Sequence, residues 1–453
     1  MSAGSLAGEL RRLYGSAVIA AHLPGQVRAP YAPRATVAAR RDRRLRDTVL
    51  YAARHVPFYR DWFARSGVDP RSIRTADDLA RLPILDRDLE RARPDLFLAG
   101  ARRARGALAF ATSGSAGTPL RVAHDRISLL ANIPWGERER APVNAICGSF
   151  RPKELYVGYE TSTFKKVTAF YAAAARLPVA PRRRFVPLDT PAEEIAALFE
   201  SERPDVLVGY GGWLDLFFRT VTARGIALRP PKMVMYMGEA LPHGARAFIE
   251  ERFGVPVLSR YNAVESFKIG FFCERRTGFH LHEDLCHVRI VGDDGRDLPP
   301  GTPGRVLVSN LVNRATVLLN HPIGDVAALA SEPCSCGRTL RLLTELEGRV
   351  EDAIALDDGR FVHPRSVWQA LKDDVDVLQY QLVQVEPRRF VLRLATLDDA
   401  AFARARERAL ARLAPLLAPE PAIDVERAAP RTQDGPVKFR AVASLASRTH
   451  PGP

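Results

Sequence analysis

Residues Ala111-Thr-Ser-Gly-Ser-Ala-Gly-Thr-Pro119, entered from the apolar run Leu108-Ala-Phe110, decide how the rest of the chain is read. Small hydroxylated side chains are interleaved with Gly114 and Gly117. Glycine lets the backbone approach a phosphate closely, and hydroxyls and free amides then donate to its oxygens. The segment is not a Walker loop, because G-x-x-x-x-G-K-[ST] is absent. Taken alone, it reads equally as a Ser/Gly surface loop.

Working outward, short β-rich runs alternate with helical patterns from about 105 to 345. The expected strands are 155–158, 206–209, 233–237, 255–258, 287–291, 305–309 and 316–319, and the expected helices 192–202, 213–224 and 243–252. Such alternation predicts an α/β unit built on a mainly parallel sheet. The later strands are closely spaced around Gly301-Thr-Pro-Gly304, which predicts an added antiparallel, barrel-like part. Residues 1–100 read as a helical, proline-punctuated lead-in. After a break at 347–352 comes a compact α+β pattern: a strand at 353–356, a helix at 365–373, strands at 379–385 and 389–395, a helix at 398–417 and a last strand at 425–428. Residues 446–453 are expected to be a disordered tail.

Composition excludes several classes. The 453 residues carry 66 Lys+Arg against 52 Asp+Glu, a net charge of +14, with 46% hydrophobic residues. That is ordinary globular usage, neither disordered nor collagen-like. No apolar run reaches the ~18 residues of a membrane span. The first residues lack the early positive cluster of a secretory signal. The basic surplus is dispersed arginine, unaccompanied by a nucleic-acid-binding motif, so a solvated surface that favours anionic small molecules is the better reading. Five cysteines, unevenly placed, fit a reducing cytoplasm.

Cys273 lies seven residues before His280, and Pro333-Cys334-Ser-Cys336-Gly337 begins its cysteine pair 54 residues after that histidine. Three thiolates and an imidazole suit tetrahedral Zn²⁺. A closed structural site is expected, with His282 and Cys286 as spare ligands. Reduced cysteines beside a histidine are the plain alternative.

The glycine-hydroxyl loop resembles the phosphate loop of adenylate-forming enzymes, the acyl- and aryl-coenzyme A ligases. His55-Val-Pro-Phe-Tyr-Arg60, Ser66-Gly-Val-Asp-Pro70 and Asp77-Asp-Leu79 with Leu82-Pro83 resemble the start of the phenylacetate–coenzyme A ligase branch. Gly238-Glu239-Ala240 is similar to its adenine-contacting turn, and Tyr261-Asn-Ala-Val-Glu265 to its Y-G-x-[ST]-E motif. Gly324-Asp325, Gly348-Arg349 and Lys438 stand where three further motifs stand, so the likeness spans about residues 50–440. It implies an adenylation domain over 1–348, a hinge over 349–352 at Glu351 and Asp352, and a mobile C-terminal lid over 353–445.

The implied activity is ATP-dependent conversion of an aromatic or other small carboxylic acid to an acyl-adenylate, then transfer to a thiol, coenzyme A first among the candidates. Thr112, Ser113, Gly114, Ser115, Gly117 and Thr118 would hold the departing pyrophosphate. Glu265 would ligate Mg²⁺, Tyr261 and Asn262 would flank adenine, Asp325 would accept from ribose, and Arg349 would reach ribose or phosphate. Lys438 would bridge the carboxylate and the α-phosphate. The acid would sit among Tyr210, Gly211, Tyr236 and Phe267, with Trp213 nearby. In several members of the branch the Cys₃His arrangement holds a structural zinc.

This chain departs from the pattern at Asn262, at Val264, where a hydroxyl is lost, and at His321-Pro-Ile-Gly-Asp325, where an arginine is lost. Three alternatives stay open: an amine or carrier-protein acceptor, a degenerate nucleotide-binding scaffold, and a nucleic-acid binder. A homodimer is also left open, and no membrane partner is expected.

Overall fold

The computed structural model describes residues 3–100, 106–112, 119–176, 182–241, 243–344, 348–349, 354–357, 360–362, 364–371, 374–417, 420–431, 433–434 and 437–445. Ser113–Thr118, Glu351, Asp352 and the tail 446–453 therefore lie outside the described residues, as do the side chains of Arg349 and Lys438.

A hairpin, β1 (Leu108–Ala111) against β2 (Arg121–His124), carries the phosphate-loop candidate between its strands. Behind it stands an eight-stranded sheet. In it β3 (Lys153–Gly158), β4 (Arg182–Pro187), β5 (Val206–Gly209), β6 (Met233–Met237) and β7 (Val257–Tyr261) pair in parallel. The sheet continues antiparallel through β8 (Gly270–Phe272), β9 (Phe279–Leu281) and β13 (Leu342–Leu343). Strands β5 and β6 are buried at every position. Val-Leu-Val-Gly and Met-Val-Met-Tyr-Met have no polar alternation, as a strand covered on both faces requires.

One face is covered by the helices Ala192–Glu202, Gly211–Ala223 and His243–Phe253, through Ile195, Phe199, Leu214, Phe218 and Ile249. The other packs Val208, Met235 and Leu258 on Val288, Val306, Val308 and Ile323. Those belong to a four-stranded antiparallel sheet: β10 (Cys286–Val291), β11 (Gly304–Asn310), β12 (His321–Ala327) and β14 (Gly348–Arg349). The expected α/β class with an antiparallel addition is what is found.

Beyond residue 353, the short pair β15 (Ile354–Ala355) and β16 (Phe361–Val362) precedes a separate sheet. It contains β17 (Gln379–Glu386), β18 (Arg389–Ala395), β19 (Ala422–Arg427) and β22 (Val442–Ser444), in the order 19-18-17-22. Helices Pro364–Leu371 and Asp399–Leu413 close an apolar cluster drawn only from residues 354–442. Between β19 and β22 lies a small hairpin, β20 (Gln433–Asp434) with β21 (Val437–Lys438).

Several boundaries differ from expectation. The strand expected at 255–258 begins at Val257. Residues 316–319 are not a strand. This extended segment is pinned irregularly, with the Ala123 amide donating to Thr316 Oγ1 at 2.9 Å and the Asn310 amide to the Leu318 carbonyl at 3.1 Å. The helix expected over 398–417 ends at Leu413. Helices Gly136–Cys147 and Thr163–Ala174 were not anticipated. The first hides behind Glu/Arg-rich composition and an internal Pro142. The second is marked by Ser162, whose hydroxyl caps the Lys165 amide. No helix among the described residues is long and apolar enough to cross a membrane.

Candidate functional site

The site is assembled where β7 ends. Tyr261 is its last residue, and the Tyr261 hydroxyl donates to Asp325 Oδ2 of β12 at 2.7 Å. Asp325 stands directly across the ladder from Arg349 of β14. Three motif residues, separated by up to 88 positions, are thus brought to one strand end. Gly324 has φ +92°, a conformation that side-chain-bearing residues rarely adopt, so the glycine before Asp325 has a backbone reason.

After Tyr261 the chain turns tightly. The Phe267 amide donates to the Ala263 carbonyl at 2.6 Å, and Phe267 takes φ +59°. The Asn262 amide nitrogen faces the carbonyls of Phe267 and Tyr261, so the residue that replaces glycine braces the turn. The Asn310 side chain donates to the Glu265 carbonyl at 3.0 Å and fixes its backbone. The Glu265 carboxylate is buried to within a tenth of its surface. His321 Nε2 lies 3.5 Å from Glu265 Oε1, while His321 Nδ1 lies 2.8–2.9 Å from both oxygens of the fully buried Glu90. Burial alone would depress the His321 pKa, but Glu90 and Glu265 raise it to about 9. Burial pushes the Glu265 carboxyl up, and the hydrogen bond and charge of His321 outweigh it, leaving it below the ordinary range.

Thr112 closes the neck of the phosphate-loop candidate. Its amide donates to the Leu120 carbonyl at 2.9 Å, and its hydroxyl accepts from the Leu120 amide at 3.1 Å. That hairpin is tied to the Glu265 turn by His124, whose Nε2–H donates to the Val264 carbonyl at 2.7 Å. Burial lowers the His124 pKa to about 4, so the ring is a neutral strut. Thr112, Glu265 and Asp325 therefore belong to one connected set.

The expected acid-pocket residues divide. Tyr210 packs on Tyr159 at 5.2 Å between centroids, beside Gly211 and the 238–240 turn. Tyr236 lies in that same apolar cluster. Phe267 lies in another, edge-on to Phe110 at 5.5 Å. Trp213 stacks on Phe217 at 5.1 Å and also lines the cleft beside Tyr210. A small cleft lies among Tyr159, Tyr210, Gly212 and Glu239 on one side and Gln379, Arg431 and Phe439 on the other. Phe439, which lines this cleft, directly follows Lys438 in the chain.

The metal candidates converge. One ligand atom from each of Cys273, His280, Cys334 and Cys336 lies within 4.8 Å of every other. Cys273 Sγ and Cys334 Sγ are 3.7 Å apart, too far for a disulfide. That spacing matches the edge of a tetrahedron with Zn–S bonds of about 2.3 Å. His280 Nε2 lies 3.4 Å from Cys336 Sγ, and its buried Nδ1 has no hydrogen-bond partner. Burial lowers the His280 pKa to about 4, so the ring is neutral, as a ligand must be. The donor set fits zinc. The spare ligands do not join it: His282 Nε2 contacts Glu139 at 3.1 Å, and Cys286 is buried elsewhere.

Sequence reading missed Glu90, His124, Tyr159 and Arg431. Only His321 left a signal, as a departure inside a motif.

No family model matches the chain. It is 27% identical to a phenylacetate-coenzyme A ligase of Thermus thermophilus over 81% of each chain. It is 25% identical to the phenylacetate-coenzyme A ligase of Escherichia coli, over 69% of this chain and 71% of that one. Among solved structures, 2-hydroxyisobutyryl-CoA ligase in its postadenylation state overlays with a TM-score of 0.71 at 19% identity, covering 94% of this chain and 92% of that one. The same enzyme in its thioesterification state gives 0.58 at 19% identity, with 93% and 92% covered. The fold is thus that of the adenylate-forming acyl-CoA ligases.

Proposed function

We infer that this relative of the phenylacetate–coenzyme A ligases joins a carboxylic acid to coenzyme A in two steps, with ATP cleaved to AMP and pyrophosphate. One observation carries the reading: Tyr261, Asp325 and Glu265 meet at the end of β7 with the phosphate-loop hairpin tied to the same turn.

In the first step a carboxylate oxygen attacks the α-phosphorus, the α–β bridging P–O bond breaks and pyrophosphate leaves. The chain's task is positioning and charge neutralisation. Asp325 accepts from the ribose hydroxyls, and Tyr261 holds Asp325 in place while offering its ring to adenine. The loop 112–118 takes the pyrophosphate oxygens, and Glu265 is the Mg²⁺ ligand. When bound, that ion supplies neutralisation of phosphate charge. Lys438 approaches carboxylate and α-phosphate from the hairpin β20–β21. The acid lies in the Tyr159–Tyr210 cleft, whose aromatic walls suit an aryl or other small acid. In the second step the thiolate attacks the acyl carbon and AMP departs. The lid, 353–445, turns about 349–352 between the steps, so that one cleft serves both reactions in turn. Cys273, His280, Cys334 and Cys336 would hold a structural zinc, in a reducing cytoplasm that keeps the cysteines from pairing as disulfides.

The test is pyrophosphate release over aryl, heteroaryl and short acyl acids, with coenzyme A, an amine or a carrier thiol as acceptor. Thioester and AMP from at least one acid with coenzyme A are expected. Turnover with an amine alone would reassign the acceptor, and no pyrophosphate from any acid would refute the reading. Lys438→Ala should abolish adenylation yet still convert a supplied adenylate to thioester.

A further inference from the structure

Helix Arg87–Ala92 belongs to the lead-in and carries none of the expected site residues. It nevertheless buries a carboxylate, Glu90, completely. A buried carboxylate is expensive unless charged hydrogen-bond donors meet it. The partner is His321 Nδ1, 2.9 Å from Oε1 and 2.8 Å from Oε2. With Nδ1–H committed to Glu90, the opposite edge of the ring is aimed at Glu265, 3.5 Å from Nε2. Residues 90, 321 and 265 come from three separate elements, and the ring between them is itself buried. A histidine needed only to fill space beside Glu265 would not require a second buried carboxylate behind it. Carboxylate–imidazole pairs of this kind fix ring orientation and protonation at the group in front.

We propose that Glu90 and His321 are positioning residues: Glu90 orients the imidazole, and the imidazole holds the Glu265 carboxylate aimed for a nucleotide-bound divalent cation. The inference rests on the reading of the β7 cleft as an ATP site. Contact with Glu265 Oε1 leaves the second oxygen outside the His321 contact. The arrangement presets the carboxylate before nucleotide arrives and acts on metal-dependent binding alone. AMP, which needs no metal, is held through Tyr261 and Asp325 and is indifferent to it.

The experiment measures dissociation constants for Mg·ATP and for AMP in EDTA by calorimetry, with melting temperatures, on wild type, Glu90→Gln, His321→Gln and the double variant. Glu90→Gln keeps an acceptor for Nδ1–H and removes only the charge. His321→Gln should weaken Mg·ATP about tenfold or more and leave AMP within about twofold. Glu90→Gln should shift Mg·ATP alone, by about threefold. The double variant should match His321→Gln, because Glu90 acts only through the ring. Parallel loss of Mg·ATP and AMP, additive effects, or no change in either constant would overturn the proposal. Should His321→Gln fail to fold, Glu90→Gln carries the same comparison. Wild type that binds AMP but shows no Mg²⁺ dependence for ATP would sink this inference alone. Wild type that binds neither nucleotide would sink the reading of the cleft.

Discussion

Gly211 and Gly212 open the same helix, and the structure makes opposite demands of them. A Cβ added at Gly211 would lie 2.2 Å from the Ala240 carbonyl oxygen, 2.5 Å from its carbon and 2.6 Å from the Leu241 nitrogen. All three are backbone atoms at the end of the 238–240 turn assigned to adenine, and that backbone would have to retreat by about 1.2 Å to reach ordinary contact at 3.4 Å. Overpacking of this kind costs about 1–3 kcal/mol, roughly 5- to 150-fold in an equilibrium constant if it falls on the bound state. At Gly212 the nearest neighbour is Glu239 Oε1 at 2.8 Å, the far end of a side chain that can swing away. Gly211→Ala should therefore weaken AMP binding by roughly 10- to 100-fold and lower the melting temperature. Gly212→Ala should change either quantity little. Calorimetric titration with AMP and differential scanning calorimetry read both. Gly211→Ala binding AMP as tightly as wild type would show that the 238–240 turn is not where the nucleotide rests.

Tyr261→Phe removes the 2.7 Å bond to Asp325 and should cost about 1 kcal/mol, near fivefold in nucleotide affinity, with melting almost unchanged. An equal loss in Asp325→Ala alone and in the double variant would confirm that the two act as one. Cys336→Ser should take zinc in the purified protein from one per chain to well below one and lower melting by roughly 5 °C or more; elemental analysis that finds no zinc in wild type rejects the site. Burial opposes ionisation of Glu139, but Lys268, His282 and Arg260 outweigh it and hold its pKa at about 2. A lowered folded pKa means that its stabilisation is present above the unfolded value near 4.5 and is lost as pH falls toward 2. The effect is at most about 3 kcal/mol, so Glu139→Gln should be less stable at neutral pH and show a shallower acid-unfolding slope between pH 4.5 and 2.

The parallel half of the sheet was legible because β5 and β6 are unbroken apolar runs between glycines and helices. Strand β4 was not, since Arg182-Arg183-Arg184 reads as a charged surface. The structure explains it: Arg183 pairs with the buried Glu154 at 2.5 Å, a contact from the neighbouring strand that no local pattern announces. The segment 316–319 has strand chemistry but lies in a stretch held by Asn313 and Thr316 side chains, so propensity and hydrogen bonding part company. At the candidate site, motif order singled out Tyr261, Glu265 and Asp325, which the fold brings to one strand end, because each belongs to a recognisable short segment. Glu90 carries no such mark. It sits in Arg-Asp-Leu-Glu-Arg-Ala, an ordinary charged helix, and acquires its partner 231 residues later.

Strand order in the C-terminal sheet has a mechanical result. β19 and β22 occupy opposite edges, three interstrand spacings or about 14 Å apart, and residues 428–441 must bridge them. Lys438 therefore stands on a connection held at both ends: the Gln379 side chain is bonded to the Arg431 backbone before the β20–β21 hairpin, and the Leu382 amide donates to the Ala441 carbonyl after it. Cutting the anchor at Val442–Ser444 would leave the lysine on a one-ended string, sampling a far larger volume and spending little of its time where a phosphate could meet it.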